Sequence, residues 1–147
     1  MKKILVIGML ITGLIAFSMN FSSGKAGIGL TGGEPSGVYG RYNVENYHFI
    51  DVTAAWSFAS DSISVATDYN ISKSLEGNIY YRYGVGAKLG LGNNLSLAAR
   101  APLGIEYDIT NFIDLPINLF LEVAPGLAIL PGIDFDLSGG AGFVYFF

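Results

Sequence analysis

Cysteine is absent from the 147 residues, and charge is scarce. Without thiols the chain forms no disulfide and offers no Cys-based metal site or nucleophile. Asp, Glu, Lys and Arg together make up 14% of the residues, against roughly a quarter in an ordinary soluble domain. A disordered chain is charge-rich and aromatic-poor; this one has 14% aromatic residues and is not of that kind. Basic residues are fewer than acidic ones, 8 against 12, and Lys2-Lys3 is the only basic run. At a net charge of −4 the chain has no electrostatic footing for nucleic acid. There is a single histidine, His48, which limits acid–base chemistry. What is plentiful is apolar surface, 51% of the residues, and glycine, 20 of them. The length fits one domain.

The N-terminus has the layout of a targeting segment. Lys2 and Lys3 precede an apolar run from Ile4 to Phe17, and a more polar stretch, Ser18–Lys25, follows. Charge, then apolar residues, then small residues is the order of a secretory signal peptide. Gly24 and Ala26 supply small residues at −3 and −1. Cleavage is therefore expected after Ala26, with a site a few residues earlier as the alternative. The competing reading, a retained membrane anchor, meets a run short of the ~20 apolar residues that a spanning helix needs. Residues 1–26 are expected as the signal peptide and 27–147 as the mature domain. Removing Lys2, Lys3 and Lys25 leaves 5 basic against 12 acidic residues, a mature charge of −7. No later segment is apolar for long enough to form a membrane helix.

The mature part alternates. Ile50, Val52, Ala54, Trp56 and Phe58 fall on one side of residues 48–58, with Asp51, Thr53 and Ser57 on the other. Period two means a β-strand with one apolar face. Residues 79–89 repeat the pattern, as do 95–109, 117–127 and 135–147, and weaker strands are expected over about 27–33, 37–45 and 62–70. Glu34-Pro35-Ser36-Gly37, Ser60-Asp61-Ser62, Gly92-Asn93-Asn94 and Pro131-Gly132 separate them with turn chemistry. That makes eight strands if Glu34–Gly37 is a hairpin, and seven if it is a bulge.

Which face meets water decides the class. A soluble eight-stranded barrel turns its apolar side chains inward. Here the polar face carries Arg41, Asp51, Asp68, Arg82, Lys88, Arg100, Glu106 and Glu122 among Gly, Ala and Ser, a mixture suited to a narrow interior. The other face is a nearly unbroken surface of Leu, Ile, Val and aromatics, suited to lipid. The expected fold is all-β: an antiparallel up-and-down transmembrane β-barrel of eight strands. If the first strand runs outward, Tyr42, Tyr69, Tyr81, Tyr107, Tyr145 and Phe147 gather toward the periplasmic rim. Trp56, Phe58 and Phe135 gather at the other, as interfacial aromatic rings do.

Phe143-Val144-Tyr145-Phe146-Phe147 ends the chain on an aromatic, with Phe143, Tyr145 and Phe147 on the outward face. This resembles the C-terminal assembly signal that the barrel-insertion machinery recognises. With Gly33-Glu34-Pro35-Ser36-Gly37, Asp51, Trp56-Ser57-Phe58, Asp68-Tyr69, Gly84-Val85-Gly86, Arg100-Ala101-Pro102-Leu103-Gly104 and Leu119-Phe120-Leu121-Glu122-Val123-Ala124-Pro125, residues 27–147 are similar to a family of small, largely uncharacterised eight-stranded outer-membrane β-barrel proteins. The family often carries Lys and Trp after its Gly-Pro turn, where this chain has Arg41-Tyr42. The resemblance implies an outer-membrane location and a fold, and no settled activity.

Candidate chemistry is thin. In this topology His48 lies on a periplasmic turn, the wrong end for the outer-leaflet lipid substrates of small barrel enzymes. Gly27-Ile28-Gly29-Leu30-Thr31-Gly32 matches dinucleotide spacing, but no helix follows to present its N-terminus to a phosphate. Asp134/Asp136 and Glu106/Asp108 each share a strand face and suit rim or interior charges better than Ca²⁺ or acid–base work. The inward charges say most: Arg41, Arg82, Lys88 and Arg100 against Asp51, Asp68, Glu106 and Glu122, four against four. Buried charges must be paired or solvated, and eight strands leave a lumen that side chains can fill. The expectation is a salt-bridged plug in a non-enzymatic barrel with a structural or surface-interaction role. The alternatives are a narrow pore for ions or small solutes, or a lipid-modifying enzyme. No cofactor is expected. The expected partners are membrane lipid and, during biogenesis, the barrel-insertion machinery, with a monomer as the working unit.

Overall fold

Where side chains alternate, the backbone is extended. The computed structural model describes residues 24–147; the signal-peptide reading rests on residues that lie almost entirely outside that range. The described residues form nine strands: β1 (Ala26–Glu34), β2 (Ser36–Glu45), β3 (His48–Ser57), β4 (Ser62–Glu76), β5 (Ile79–Leu91), β6 (Leu95–Arg100), β7 (Leu103–Asp108), β8 (Ile117–Leu130) and β9 (Asp134–Phe146). A single helical turn, α1 (Thr110–Ile113), lies between β7 and β8. All neighbouring strands are antiparallel, and β9 pairs back onto β1, so the sheet closes into a ring. Each strand has a partner on both sides, which leaves no open edge to pair with another chain.

The strand count corrects the expected eight. Residues 95–109, expected as one strand, are divided into β6 and β7 at Ala101-Pro102. Proline has no N–H for the ladder, and Pro102 is buried. The neighbours bridge the break: β5 and β8 each pair with both pieces. Gly84 N–H donates to the Pro102 carbonyl at 3.0 Å, and Ala101 N–H to the Pro125 carbonyl at 2.8 Å. β6 and β7 therefore share one of eight places around the ring.

The stretch Glu34–Gly37 is a hairpin, with Pro35 alone between β1 and β2. Ser36 Oγ donates to the Gly33 carbonyl at 2.8 Å and accepts from Gly33 N–H at 3.0 Å, which ties the turn. β4 extends well past the expected residue 70, because β5 continues to pair with it as far as Glu76↔Ile79. Gly77 turns that hairpin at φ +56°, a conformation costly for a residue with a Cβ. The Gly27–Gly32 dinucleotide-like spacing lies inside β1, with no helix after it.

The two faces differ as the alternation requires. Ile50, Val52, Trp56, Val85, Leu103, Ile105, Leu121, Val123 and Leu127 are exposed on the outside of the ring. Arg41, Asp51, Asp68, Arg82 and Glu106 are buried inside it. The buried apolar cluster is small: Tyr39, Phe120 and Val144, with Phe146 against them. Large exposed apolar side chains and buried charges are each informative alone; here they occupy opposite faces of one sheet. Tyr69, Tyr81 and Tyr145 are exposed outside, and Trp56 and Phe58 meet edge to face at 6.2 Å beside the β3–β4 connection.

Candidate functional site

Register brings the inward charges to adjoining positions. Arg41 stands opposite Asp51, Asp51 opposite Asp68, Asp68 opposite Gly86, and Gly86 opposite Arg100. On the far side Arg82 stands opposite Gly104, and Gly104 opposite Glu122. The glycines leave the width that guanidinium groups need: a Cβ at Gly104 would lie 3.2 Å from Arg82 Nε.

Two arginines organise the centre. Arg41 grips Glu106 through two parallel bonds of 2.7 Å, Nη1 to Oε1 and Nη2 to Oε2. This fork geometry is the strong form of an Arg–carboxylate pair. Asn118 Nδ2 donates to Glu106 Oε1 at 2.6 Å. Arg82 donates to Glu122, gives a second hydrogen bond to the Tyr39 hydroxyl at 3.1 Å, and lies 3.6 Å from Glu106 Oε2. Both guanidinium groups also lie near aromatic rings, Arg41 at 4.0 Å from the Phe49 centroid and Arg82 at 4.6 Å from that of Phe120. Such contacts gain strength where water is excluded.

Arg100 extends the network, with Nη2 on Glu122 Oε1 at 2.6 Å and Nε 3.1 Å from Asp68 Oδ1. Asp51 takes neutral donors instead, the Tyr39 hydroxyl at 3.0 Å and Asn70 Nδ2 at 2.9 Å. Tyr39 is thus the hinge of the cluster: it donates to Asp51 and accepts from both Arg41 and Arg82.

The expected balance of four against four is corrected. Lys88 stands apart, with Nζ on Asp136 Oδ1 at 2.6 Å. The central network is three arginines with Asp51, Asp68, Glu106 and Glu122. Tyr39, Asn70, Asn118 and Phe49 are not singled out by the sequence, and Phe120 enters there only within the Leu119–Pro125 motif. Parity along the strand would have found Tyr39, two residues from Arg41 and hence on the same face.

The remaining candidates are separately engaged. Asp134 Oδ1 accepts from Phe135 N–H and Asp108 Oδ1 from Thr110 N–H, so neither carboxylate pair acts as a unit. Among the described residues no three His, Cys, Asp or Glu side chains group as metal ligands. His48 Nδ1 lies 2.7 Å from the Tyr69 hydroxyl at the β2–β3 end. At the chain end Phe143 and Tyr145 are exposed outside and Val144 is buried, as alternation requires. Phe147 is held by its backbone: its N–H donates to the Ala26 carbonyl at 3.0 Å, and its carbonyl accepts from Gly24 N–H at 2.6 Å.

Space is left on either side of the cluster. A vestibule of about 480 Å³ opens at the β2–β3 end and reaches down to Arg41, Glu106 and Asn118. A cavity of about 40 Å³, room for a water molecule, lies beyond, against Tyr39, Arg100, Glu122 and Ser138. The two have no lining residue in common. Compared with known protein families, curated proteins and solved structures, the chain matches none.

Proposed function

We propose that this chain is an exported, integral outer-membrane β-barrel, its nine strands filling eight places, working as a monomer and closed by a salt-bridged plug. Its role on this reading is structural or surface-interacting rather than enzymatic. One observation carries the reading: the outside of the ring is a continuous apolar surface, while charged side chains pair inside it. In water that arrangement exposes the side chains whose burial drives folding; in lipid it satisfies both faces, and a closed ring leaves no unpaired backbone toward the hydrocarbon. The plug is supported by the network of Arg41, Arg82 and Arg100 with their carboxylates lying between vestibule and cavity.

Cell fractionation and planar-bilayer recording test the two halves. The protein is expected with outer membranes, released only by detergent, and purified barrel is expected to give no steady conductance. Recovery from the soluble periplasm without detergent would sink the barrel. Steady single-channel conductance would replace the plug with a narrow pore.

A further inference from the structure

The ring includes residues that the expected cleavage would remove. Ala26 opens β1, is buried, and stands opposite Tyr42. Its carbonyl accepts from Phe147 N–H at 3.0 Å, the Lys25 carbonyl accepts from Asn43 N–H at 2.8 Å, and Gly24 N–H donates to the Phe147 carbonyl at 2.6 Å. Gly24 and Ala26 therefore tie Phe147 to the seam where β1 meets β9, and Lys25 ties the start of β1 to the end of β2. A cut after Ala26 removes all three bonds; a cut after Gly24 removes the one from its own N–H.

A second small-residue pair lies upstream. Ala16 and Ser18 flank Phe17 directly after the apolar stretch Ile4–Ile15, twelve residues long. That length is within the usual range of a signal-peptide core, and small residues at −3 and −1 are what the peptidase reads.

We infer that the signal peptide is removed after Ser18, so that the mature chain begins at Met19 and keeps Gly24–Ala26 as the latch of the barrel seam. This rests on the export reading above. The step is hydrolysis by a membrane-bound signal peptidase: water adds across the Ser18–Met19 peptide bond, Ser18 leaves with a carboxylate, and Met19 keeps a free α-amino group. With Lys25 retained the mature chain has 6 basic and 12 acidic residues, a charge of −6 rather than −7.

Intact-mass measurement on the protein extracted from membranes tests the site. A chain starting at Met19 is expected. A start at Lys25 or Gly27 overturns the inference and leaves export standing, whereas retention of Met1 overturns the export reading itself. Ser18→Tyr, which puts a bulky side chain at −1, is expected to accumulate uncleaved precursor; unchanged processing would overturn the site. The latch is tested by placing an unrelated signal peptide directly before Gly24 or before Gly27. The protein beginning at Gly24 is expected to keep its folded, heat-modifiable form to a higher temperature. Equal melting of the two would remove the latch and the reason for an upstream cut.

Discussion

Arg82 exposes none of its side chain, yet it bonds Glu122, approaches Glu106, donates to Tyr39 and lies near the Phe120 ring. Guanidinium rather than ammonium fits this position, because a planar fork can address several acceptors and still stack. Removing it leaves Glu122 with Arg100 alone and Glu106 with Arg41 alone. Because each keeps one partner, the loss is expected below the about 3–5 kcal/mol of a buried pair broken outright. Arg82→Ala is expected to lower the urea midpoint of the folded protein in detergent micelles by a corresponding amount. Arg82→Ala with Glu122→Ala is expected to cost clearly less than the two single changes added, since each single change already removes the bond between them. Strict additivity in that double-mutant cycle would show that the pair is not coupled.

At the scale of strands, β9 carries two different kinds of information in adjacent residues. Phe143 and Tyr145 point outward, while Phe146 packs inward against Tyr39, Phe120 and Val144, with the Arg41 guanidinium 5.7 Å from its ring. Phe147 follows the strand and is bonded through its backbone to Gly24 and Ala26. Replacing Phe147 with Asp is expected to reduce the fraction of chains that reach the folded, heat-modifiable band, with little change in the stability of those that do. Phe146→Ala is expected to act the other way, assembling normally but losing up to about 3 kcal/mol of stability through the void it leaves. Gel-shift yield and urea titration separate the two; identical profiles for both variants would contradict this assignment of faces. β6 and β7 show a related division: Pro102 interrupts one ladder, and longer neighbours on both sides keep the ring closed.

For the whole molecule, the environment of the outer surface is the decisive question. Val123 stands near the middle of β8 and is 47% exposed on the apolar face. In water, arginine at such an exposed position changes stability by no more than about 0.5 kcal/mol. At the mid-plane of a bilayer the same change costs roughly 2–4 kcal/mol. Val123→Arg is expected to show the larger loss when unfolding is measured in lipid vesicles, and a much smaller loss for the same change near a strand end. Equal, negligible effects at both depths would argue against a bilayer around the ring.

Some of this was legible in the sequence because period two acts locally. Ile50, Val52 and Trp56 alternate with Asp51 and Thr53, and no tertiary partner is needed to know that they lie on opposite faces. The all-β class, most strand positions, the inward set from Arg41 to Glu122 and the outward Phe143 and Tyr145 follow from that rule. What alternation does not carry is which inward residues meet, since pairing depends on register and on the stagger of strands distant in sequence. Arg41 reaches Glu106 across 65 residues, and Lys88 reaches Asp136 rather than any of the four expected acids. Tyr39 became the centre of the network because closure of the ring set its hydroxyl between Arg41, Arg82 and Asp51. The division at Pro102 left the ring closed, though proline alone would have suggested a broken strand, because β5 and β8 span the gap. Sidedness is a property of each strand and was written in its own residues; partnership is a property of the closed ring, and only the ring could decide it.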